Sequence, residues 1–504
     1  SSHLGARASC TMSLLETNSQ QKHSGTCIDD MPMPRSRVDE LSVFEANKKE
    51  HGLGFASPIA GSLLLANTLL GGSGMLGIPH AVSVAGWMLG LIFILIFGCF
   101  SAFGSHLLQC AARRIGTAPC TFYSTANAVA PSFTWLIDGA VMIKCFGVGT
   151  SYLIIVGDLA PDAMHYFGAH GARRWHVITA SFVVGGVLAC QRNLTALKYT
   201  AMLSVLIVSW TAVLIILFFA RVGETFDPCT LASPSAAAAA LAFVGTSEMT
   251  AVSLASKVET LMAGSEALPC FGADFMPFAV PSALKLAKVL PVFIFGFTCQ
   301  QNVFTICNEV REASRRRVDA MIACSYLFSG AAFAATAILG YATYGSAVES
   351  DVLMGYPQGG VVQFTRLLFA ILATFSFPLQ AHPSRASALG LWTMIRGPPG
   401  GPLDGQRQEL TGPDSGVRRA ERRRFMISTA VGLVLSFALA LSVESLGLML
   451  GVVGATGSTT VSYILPGLCY TMAFPEASVK RVLAFCQLGL GCIIMPVCLI
   501  AVFL

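Results

Sequence analysis

Residues 67–80 read Asn-Thr-Leu-Leu-Gly-Gly-Ser-Gly-Met-Leu-Gly-Ile-Pro-His, placing four glycines and a proline inside a stretch otherwise fit to cross a membrane. The apolar run from about Pro58 to Val84 is long enough to span roughly 30 Å of hydrocarbon. Glycine weakens a helix by about 1 kcal/mol and lets the backbone unwind. Unwound backbone at membrane depth persists only where protein buries it or where it lines a cavity. Such a break commonly forms half of a substrate site in secondary transporters. Close helix packing through small residues is the competing reading. A second glycine break, Phe295-Gly296-Phe297-Thr298-Cys299, lies between two aromatics that suit a side-chain pocket.

Charges inside spanning segments are costly and are candidates for function. Asp138 and Lys144 fall within one such segment, the third. Asp138 lies near the segment's end and is expected to snorkel to water. Lys144 is deeper, where it could pair with an acid, move with a proton, or take the place of a cation. Tyr152 is expected to line the pathway or to serve as packing.

These residues must be positioned by a membrane-embedded bundle. The 504-residue chain is 54% hydrophobic and 12% charged, the composition of an integral membrane protein. Its net charge of +5 carries little information about nucleic acid, because the location of the charges matters more than their sum. Sixteen cysteines sit mostly within apolar stretches, without zinc-like or redox-type spacing. Residues 1–52 are polar, aperiodic and without an apolar core of the signal-peptide kind. They are expected to form a disordered cytosolic tail, leaving the first spanning segment as its own targeting signal. About eleven spanning segments follow within 53–504, near 58–80, 87–110, 134–157, 175–190, 198–220, 286–307, 320–344, 361–383, 425–443, 446–470 and 481–503. Residues 221–285 form a long loop, and 396–424 read as a flexible linker because of Gly-Pro-Pro-Gly-Gly-Pro followed by charges.

Basic residues set the orientation. Arg113 and Arg114, Arg311 to Arg317, and the run Arg418, Arg419, Arg422, Arg423 and Arg424 fall on one side, while the 345–360 loop has none. The expected arrangement puts the N-terminus and the 396–424 linker in the cytosol, and the C-terminus and the 221–285 loop outside. Asn193-Leu194-Thr195 then lies on the cytosolic side and is expected to be unmodified, despite matching a glycosylation sequon. The arginine run reads as a topology determinant and a contact with the membrane surface.

Five stretches in chain order resemble the amino acid/auxin permease family, which includes sodium-coupled neutral and vacuolar amino acid transporters. They are Gly72-Ser73-Gly74-Met75-Leu76-Gly77-Ile78-Pro79, Lys144 to Ile155 with Gly157-Asp158-Leu159, and Phe295 to Phe304 leading into Asn308-Glu309. The last two are Ser376-Phe377-Pro378-Leu379-Gln380 with His382-Pro383-Ser384-Arg385, and Gly454-Ala455-Thr456-Gly457-Ser458 with Tyr463-Ile464-Leu465-Pro466. The resemblance covers roughly residues 55–504. It implies an all-α fold of eleven helices, ten of them in two inverted five-helix repeats, with discontinuous helices one and six.

The resemblance also implies an amino acid held between those two breaks. Its carboxylate suits backbone N–H groups freed at Gly71, Gly72, Ser73 and Gly74, where a half-helix N-terminus favours an anion. Its ammonium suits carbonyls freed near Thr68 and at Phe295, Gly296, Phe297 and Thr298. Gln300 stands where the family often has histidine, which removes a titrating group. Asn308 and Glu309 match the family near the cytosolic end, where they are expected to belong to a gate or to pair with residues such as Arg311 rather than to line the pocket.

For a coupling ion, H+ or Na+, the candidates are Asn67, Thr68, Thr374, Ser376 and Lys144. The family's asparagine position falls on Thr68, with Asn67 one residue early, and this shift favours the proton. Sodium-coupled relatives often staple the long outside loop, so Cys229 and Cys270 are expected to form a disulfide. No enzyme chemistry, metal cluster or further cofactor is implied, and the expected partners are an amino acid and membrane lipid, without nucleic acid. A transporter-like amino acid sensor and a channel or facilitator are the alternative functions. Composition and spacing leave open the amino acid, the membrane (plasma membrane or a vacuolar or lysosome-like one), the direction of transport and the oligomeric state.

Overall fold

A run of apolar helices long enough to span a bilayer satisfies its own backbone, which is why the chain reads almost wholly as helix. The computed structural model describes residues 57–71, 73–116, 125, 128–129, 131–190, 198–228, 275–277, 282–310, 314–396 and 415–504. The expected tail, Gly72, Arg311, most of the 221–285 loop, and Cys229 and Cys270 with their expected disulfide all lie outside the described residues.

Pro58–Leu70 (α1) and Gly74–Ala85 (α2) form the first segment, bent by 57° at the glycines. Trp87–Ile115 (α3), Thr134–Tyr166 (α4), Arg174–Ala189 (α5) and Lys198–Phe219 (α6) follow. The sixth segment is split into Ala283–Gly296 (α7) and Gln300–Glu309 (α8) by a turn over Phe297–Cys299. Arg315–Tyr344 (α9), Gly360–Arg396 (α10) and Ser415–Ser442 (α11) come next. The tenth segment runs from Leu446–Val453 (α12) through π-helical turns at Gly454–Ser458 and Thr460–Ile464 to Leu465–Ala473 (α13), and Val479–Phe503 (α14) ends the chain. No β-strand occurs among the described residues.

Each of the eleven expected segments coincides with a helix or a broken pair. Among the described residues, eight are long and apolar enough to cross a membrane, and the bent α1–α2 pair makes nine. The two others, Arg174–Ala189 and Leu203–Phe219, are shorter apolar helices, so length and composition support eight or nine crossings rather than the expected eleven. The linker is also shorter than expected. Residues 415–424 form the first turns of α11, because Arg, Ala and Glu favour helix once the Gly-Pro cluster has ended.

Burial sorts the segments. The third, sixth and tenth have 78%, 78% and 83% of their most apolar window buried, against 17% for the ninth and 22% for the eleventh. α4, α7–α8 and α12–α13 therefore form the core, with α11 and α14 on the outside. α4 packs along α10, α1 against α9, and α2 against both α7 and α9.

One loop fixes α2 from beyond the membrane. Between α9 and α10, Val352 N–H donates to the Leu76 carbonyl at 3.1 Å and His80 Nδ1 donates to Val348 at 2.8 Å. Arg366 of α10 is fully buried beneath this loop. It donates to the carbonyls of Leu353 at 2.9 and 3.1 Å, Met354 at 3.1 Å and Tyr356 at 3.0 Å, and pairs with Asp162 of α4 at 3.2 Å. Planar, multiple donation of this kind is what arginine does and lysine does not.

Asp351 sits in the same loop, 3% exposed, with Oδ1 accepting from Leu353 N–H at 3.0 Å. Burial pushes its carboxyl from 3.8 up to about 7; the Asp158 charge adds to this, while the Leu353 amide and the Arg366 charge pull the other way. Folding thus favours the protonated form. Its contribution is complete below the unfolded value and fades as pH rises through about 7. Wild-type stability is expected to fall between about pH 4 and about pH 7. Asp351→Asn should remove most of that slope and stabilise the protein at the alkaline end, as read by thermal melting in detergent across the pH range.

Candidate functional site

The two breaks meet. A Cβ placed on Gly74 would stand 2.9 Å from the Gly296 Cα, and one on Gly296 would stand 2.9 Å from Ile78 Cδ1. Only a residue without a side chain permits this approach of the first segment to the sixth. Phe295 and Phe297 flank the contact and are buried at 6% and 1% exposure.

On the first-segment side, α2 begins in the protein interior without a side-chain cap. Its N-cap residue, Ser73, is fully buried and makes no capping bond. Ser151 of α4 donates to the Val148 carbonyl at 2.8 Å, so Ser73 is the donor in the 2.9 Å bond between the two hydroxyls. The first amides of a helix have no intrahelical acceptor. Buried without a cap, the start of α2 is a concentration of positive potential suited to an anion. Gly71 is not part of it, because its N–H closes the last turn of α1 on the Asn67 carbonyl at 2.7 Å. Gly72 lies outside the described residues.

On the sixth-segment side, the break exposes carbonyls, and the surrounding helices supply donors. Ser101 of α3 donates to the Phe297 carbonyl at 2.5 Å, with Tyr326 of α9 at 3.4 Å from the same oxygen. Lys144 Nζ donates to the Thr298 carbonyl at 3.1 Å. Lys144 is 3% exposed, and among the described side chains no carboxylate lies within salt-bridge reach of it. The bond to Thr298 ties α4 to a carbonyl of the sixth-segment break.

Gln300 joins the rest. Its Nε2 donates to Ser101 Oγ at 2.7 Å and to the Ser101 carbonyl at 3.1 Å, while its Oε1 accepts from Ser462 Oγ at 2.8 Å and Cys299 N–H at 3.1 Å. Thr298 donates to Ile294 at 2.7 Å, and Gln487 of α14 donates to the Ser462 carbonyl at 2.9 Å. Ser101, Ser105, Ser462, Gln300 and Gln487 are all essentially inaccessible to solvent. This amide, where the family often has histidine, is fully engaged and carries no titratable proton.

Of the remaining candidates, Thr68 reaches this centre, its side chain bonding to Cys299 of the α7–α8 turn, while Asn67 and Thr374 turn to other helices. The Asn67 side-chain oxygen accepts from Ser204 of α6, and Thr68 donates to Leu65 at 2.7 Å. Thr374 of α10 bonds to Ser181 of α5 at 2.8 Å and donates to Ala370 at 2.9 Å, and Ser376 is buried nearby on the same helix. In this conformation Asn67 faces α6 and Thr374 faces α5, not one another. Asp138, expected at the water boundary, is 5% exposed, and its Oδ2 has no hydrogen-bond partner.

Sequence reading missed Ser101, Ser105, Tyr326, Ser462 and Gln487. The spacing of Ser101 and Ser105 puts both on one face of α3, a signal of a polar contact, but it does not say with what.

The chain is similar to membrane transporters along most of its length. The model of a family described as "Transmembrane amino acid transporter protein" matches residues 55–504. Vacuolar amino acid transporter 5 of Schizosaccharomyces pombe is 28% identical over 424 residues, covering 83% of this chain and 85% of its own. Sodium-coupled neutral amino acid transporter 7 of Rattus norvegicus is 25% identical over 466 residues, covering 89% and 84%. A solved structure of a sodium-coupled sialic acid symporter in a substrate-bound outward-open state covers 92% of this chain and 94% of its own, at 13% identity and a TM-score of 0.49.

The contact between the breaks is directly testable. Gly74→Ala forces a methyl against backbone and is expected to cost about 1–3 kcal/mol of stability. Gly432→Ala, on α11 with open space around the added atom, is expected to gain up to about 1 kcal/mol. Melting of the two purified variants should therefore shift in opposite directions; equal shifts would mean the breaks do not touch.

Proposed function

Because the chain belongs to the transmembrane amino acid transporter protein family, we propose that it moves amino acids by cation-coupled alternating access at the site between its two breaks. The family is one of membrane transporters rather than enzymes, and the chain is a multi-pass membrane protein. One observation carries the mechanism: an uncapped helix start and a carbonyl-bearing break, both buried, face each other where Gly74 meets Gly296.

That pairing suits a zwitterion. The carboxylate binds at the N-terminus of α2, through the amides that follow Ser73, where the helix dipole offsets its desolvation. The ammonium binds at carbonyls of the α7–α8 turn, beside Phe297 and Thr298. Phe295 and Phe297 border the side-chain space. Gly74 and Gly296 must separate for the substrate to enter, so substrate binding and rearrangement of the broken segments are one event.

We assign the coupling role to Lys144, with a proton favoured over sodium. A buried ammonium without an acid partner is held by hydrogen bonding alone, and loss of its proton removes both the charge and the donation to Thr298. Changing the protonation of one side chain thereby changes how firmly α8 is tied to α4. The vacuolar relatives support a vacuolar membrane as the setting, and the sodium-coupled relatives support the rival ion. The N-terminus is assigned to the cytosol on the distribution of Arg and Lys.

Uptake of labelled amino acids into proteoliposomes, with pH and sodium gradients imposed separately, tests this. The expected result is saturable uptake driven by the pH gradient. Lys144→Met should abolish gradient-driven accumulation by at least about tenfold, the equivalent of 1.4 kcal/mol, while leaving amino acid exchange measurable. Uptake driven by sodium alone would overturn the proton assignment. Conductance without saturation would favour a channel, and the absence of uptake under either gradient would favour a sensor.

A further inference from the structure

Away from the breaks, α4, α10 and α11 leave a cavity of about 340 Å3 between them. It is elongated: its α11 wall runs from Ile427 to Ser436, about 13 Å at the helical rise. Its lining is overwhelmingly apolar. Val431 and Leu435 belong to that lining, yet are 53% and 55% exposed, so the trough opens at the outer surface of the bundle, where hydrocarbon lies.

A cation stands in this apolar wall. Arg385 is 8% exposed and donates to the Ala189 carbonyl at 2.8 Å, to Thr429 Oγ1 at 3.2 Å and to His382 Nδ1 at 2.7 Å. Its guanidinium lies 3.9 Å above the Phe425 ring. All four partners are neutral, and no carboxylate among the described side chains lies within 4.0 Å. A buried charge satisfied only by dipoles remains expensive, and an adjacent anion would offset that cost. One turn beyond Phe425 on α11 are Arg422 and Arg423, both exposed. Positive charge is thus concentrated at one end of an apolar trough that is open to lipid.

We propose that the α4–α10–α11 trough binds an anionic phospholipid, with one acyl chain along α11 and the phosphate at Arg385, Arg422 and Arg423. The match is one of charge and shape together. The trough takes a chain, its mouth takes an anion, and arginines near a membrane surface attract anionic headgroups. A zwitterionic lipid presents the same chain but no net charge. Cys145 lines the trough next to Lys144 in sequence, so the bound chain packs against the turn of α4 that holds the sixth-segment break.

Trp392 lines the trough and provides a reporter. The full-length protein is reconstituted in phosphatidylcholine bilayers carrying a graded fraction of either phosphatidylglycerol or phosphatidylcholine with dibrominated acyl chains. Quenching of Trp392 is taken as the difference between wild type and Trp392→Phe. Brominated phosphatidylglycerol is expected to reach half-maximal quenching at a mole fraction at least threefold lower than brominated phosphatidylcholine. Gly432→Leu fills the trough from a position with no atom within 4 Å of the added Cβ, so it leaves the helices in place. It should abolish the preference, and Arg385→Gln should do the same. Equal quenching by the two lipids in wild type, or a preference that survives Gly432→Leu, would overturn the site; the second variant decides the matter if Arg385→Gln does not fold.

Discussion

The structure turns on two interrupted helices whose broken backbones must be satisfied inside hydrocarbon. Every unpaired amide or carbonyl at that depth costs several kcal/mol unless protein or ligand meets it. The molecule resolves the two interruptions differently. The carbonyls of the α7–α8 turn are met by its own side chains, Ser101, Tyr326 and Lys144. The start of α2 is left uncapped and buried. On the proposed mechanism, that asymmetry leaves the first break for an anion and makes the second a switchable acceptor of a cation.

The rest of the bundle holds these breaks in register. Glycine at 74 and 296 sets the distance between them. The loop between α9 and α10 holds α2 through Val352 and His80, and Arg366 in turn holds the loop through three carbonyls. The π-helical turns of the tenth segment bring Ser462 to Gln300 and Thr298, where a regular helix would place its hydroxyl elsewhere. Moving the first segment therefore means releasing Gly74 from Gly296 while the loop carries α2, the movement that the proposed alternating access requires.

Much of this was legible in the chain. Glycines inside an apolar run point to a break whatever surrounds them, and the intramembrane Lys144 stood out because charge there needs a reason. What was not legible depends on neighbours brought in from distant sequence. A lone Ser101 or Ser462 in an apolar stretch reads as packing until the helix it faces is known. Asn67 and Thr374 have the chemistry of ion ligands, but tertiary packing gives them Ser204 and Ser181 as partners. Asp138 was expected to reach water, yet the length of α10 buries it. The start of α11 was hidden because a Gly-Pro cluster and a run of charge read as linker, although arginine itself favours helix.

The most direct test of the central claim is a cryo-EM structure of the full-length protein with a transported amino acid bound. The account predicts Gly74 and Gly296 drawn apart, the carboxylate within hydrogen-bond distance of the amides that begin α2, and the ammonium at the carbonyls of the α7–α8 turn. An amino acid bound elsewhere, with Gly74 still packed on Gly296, would contradict it.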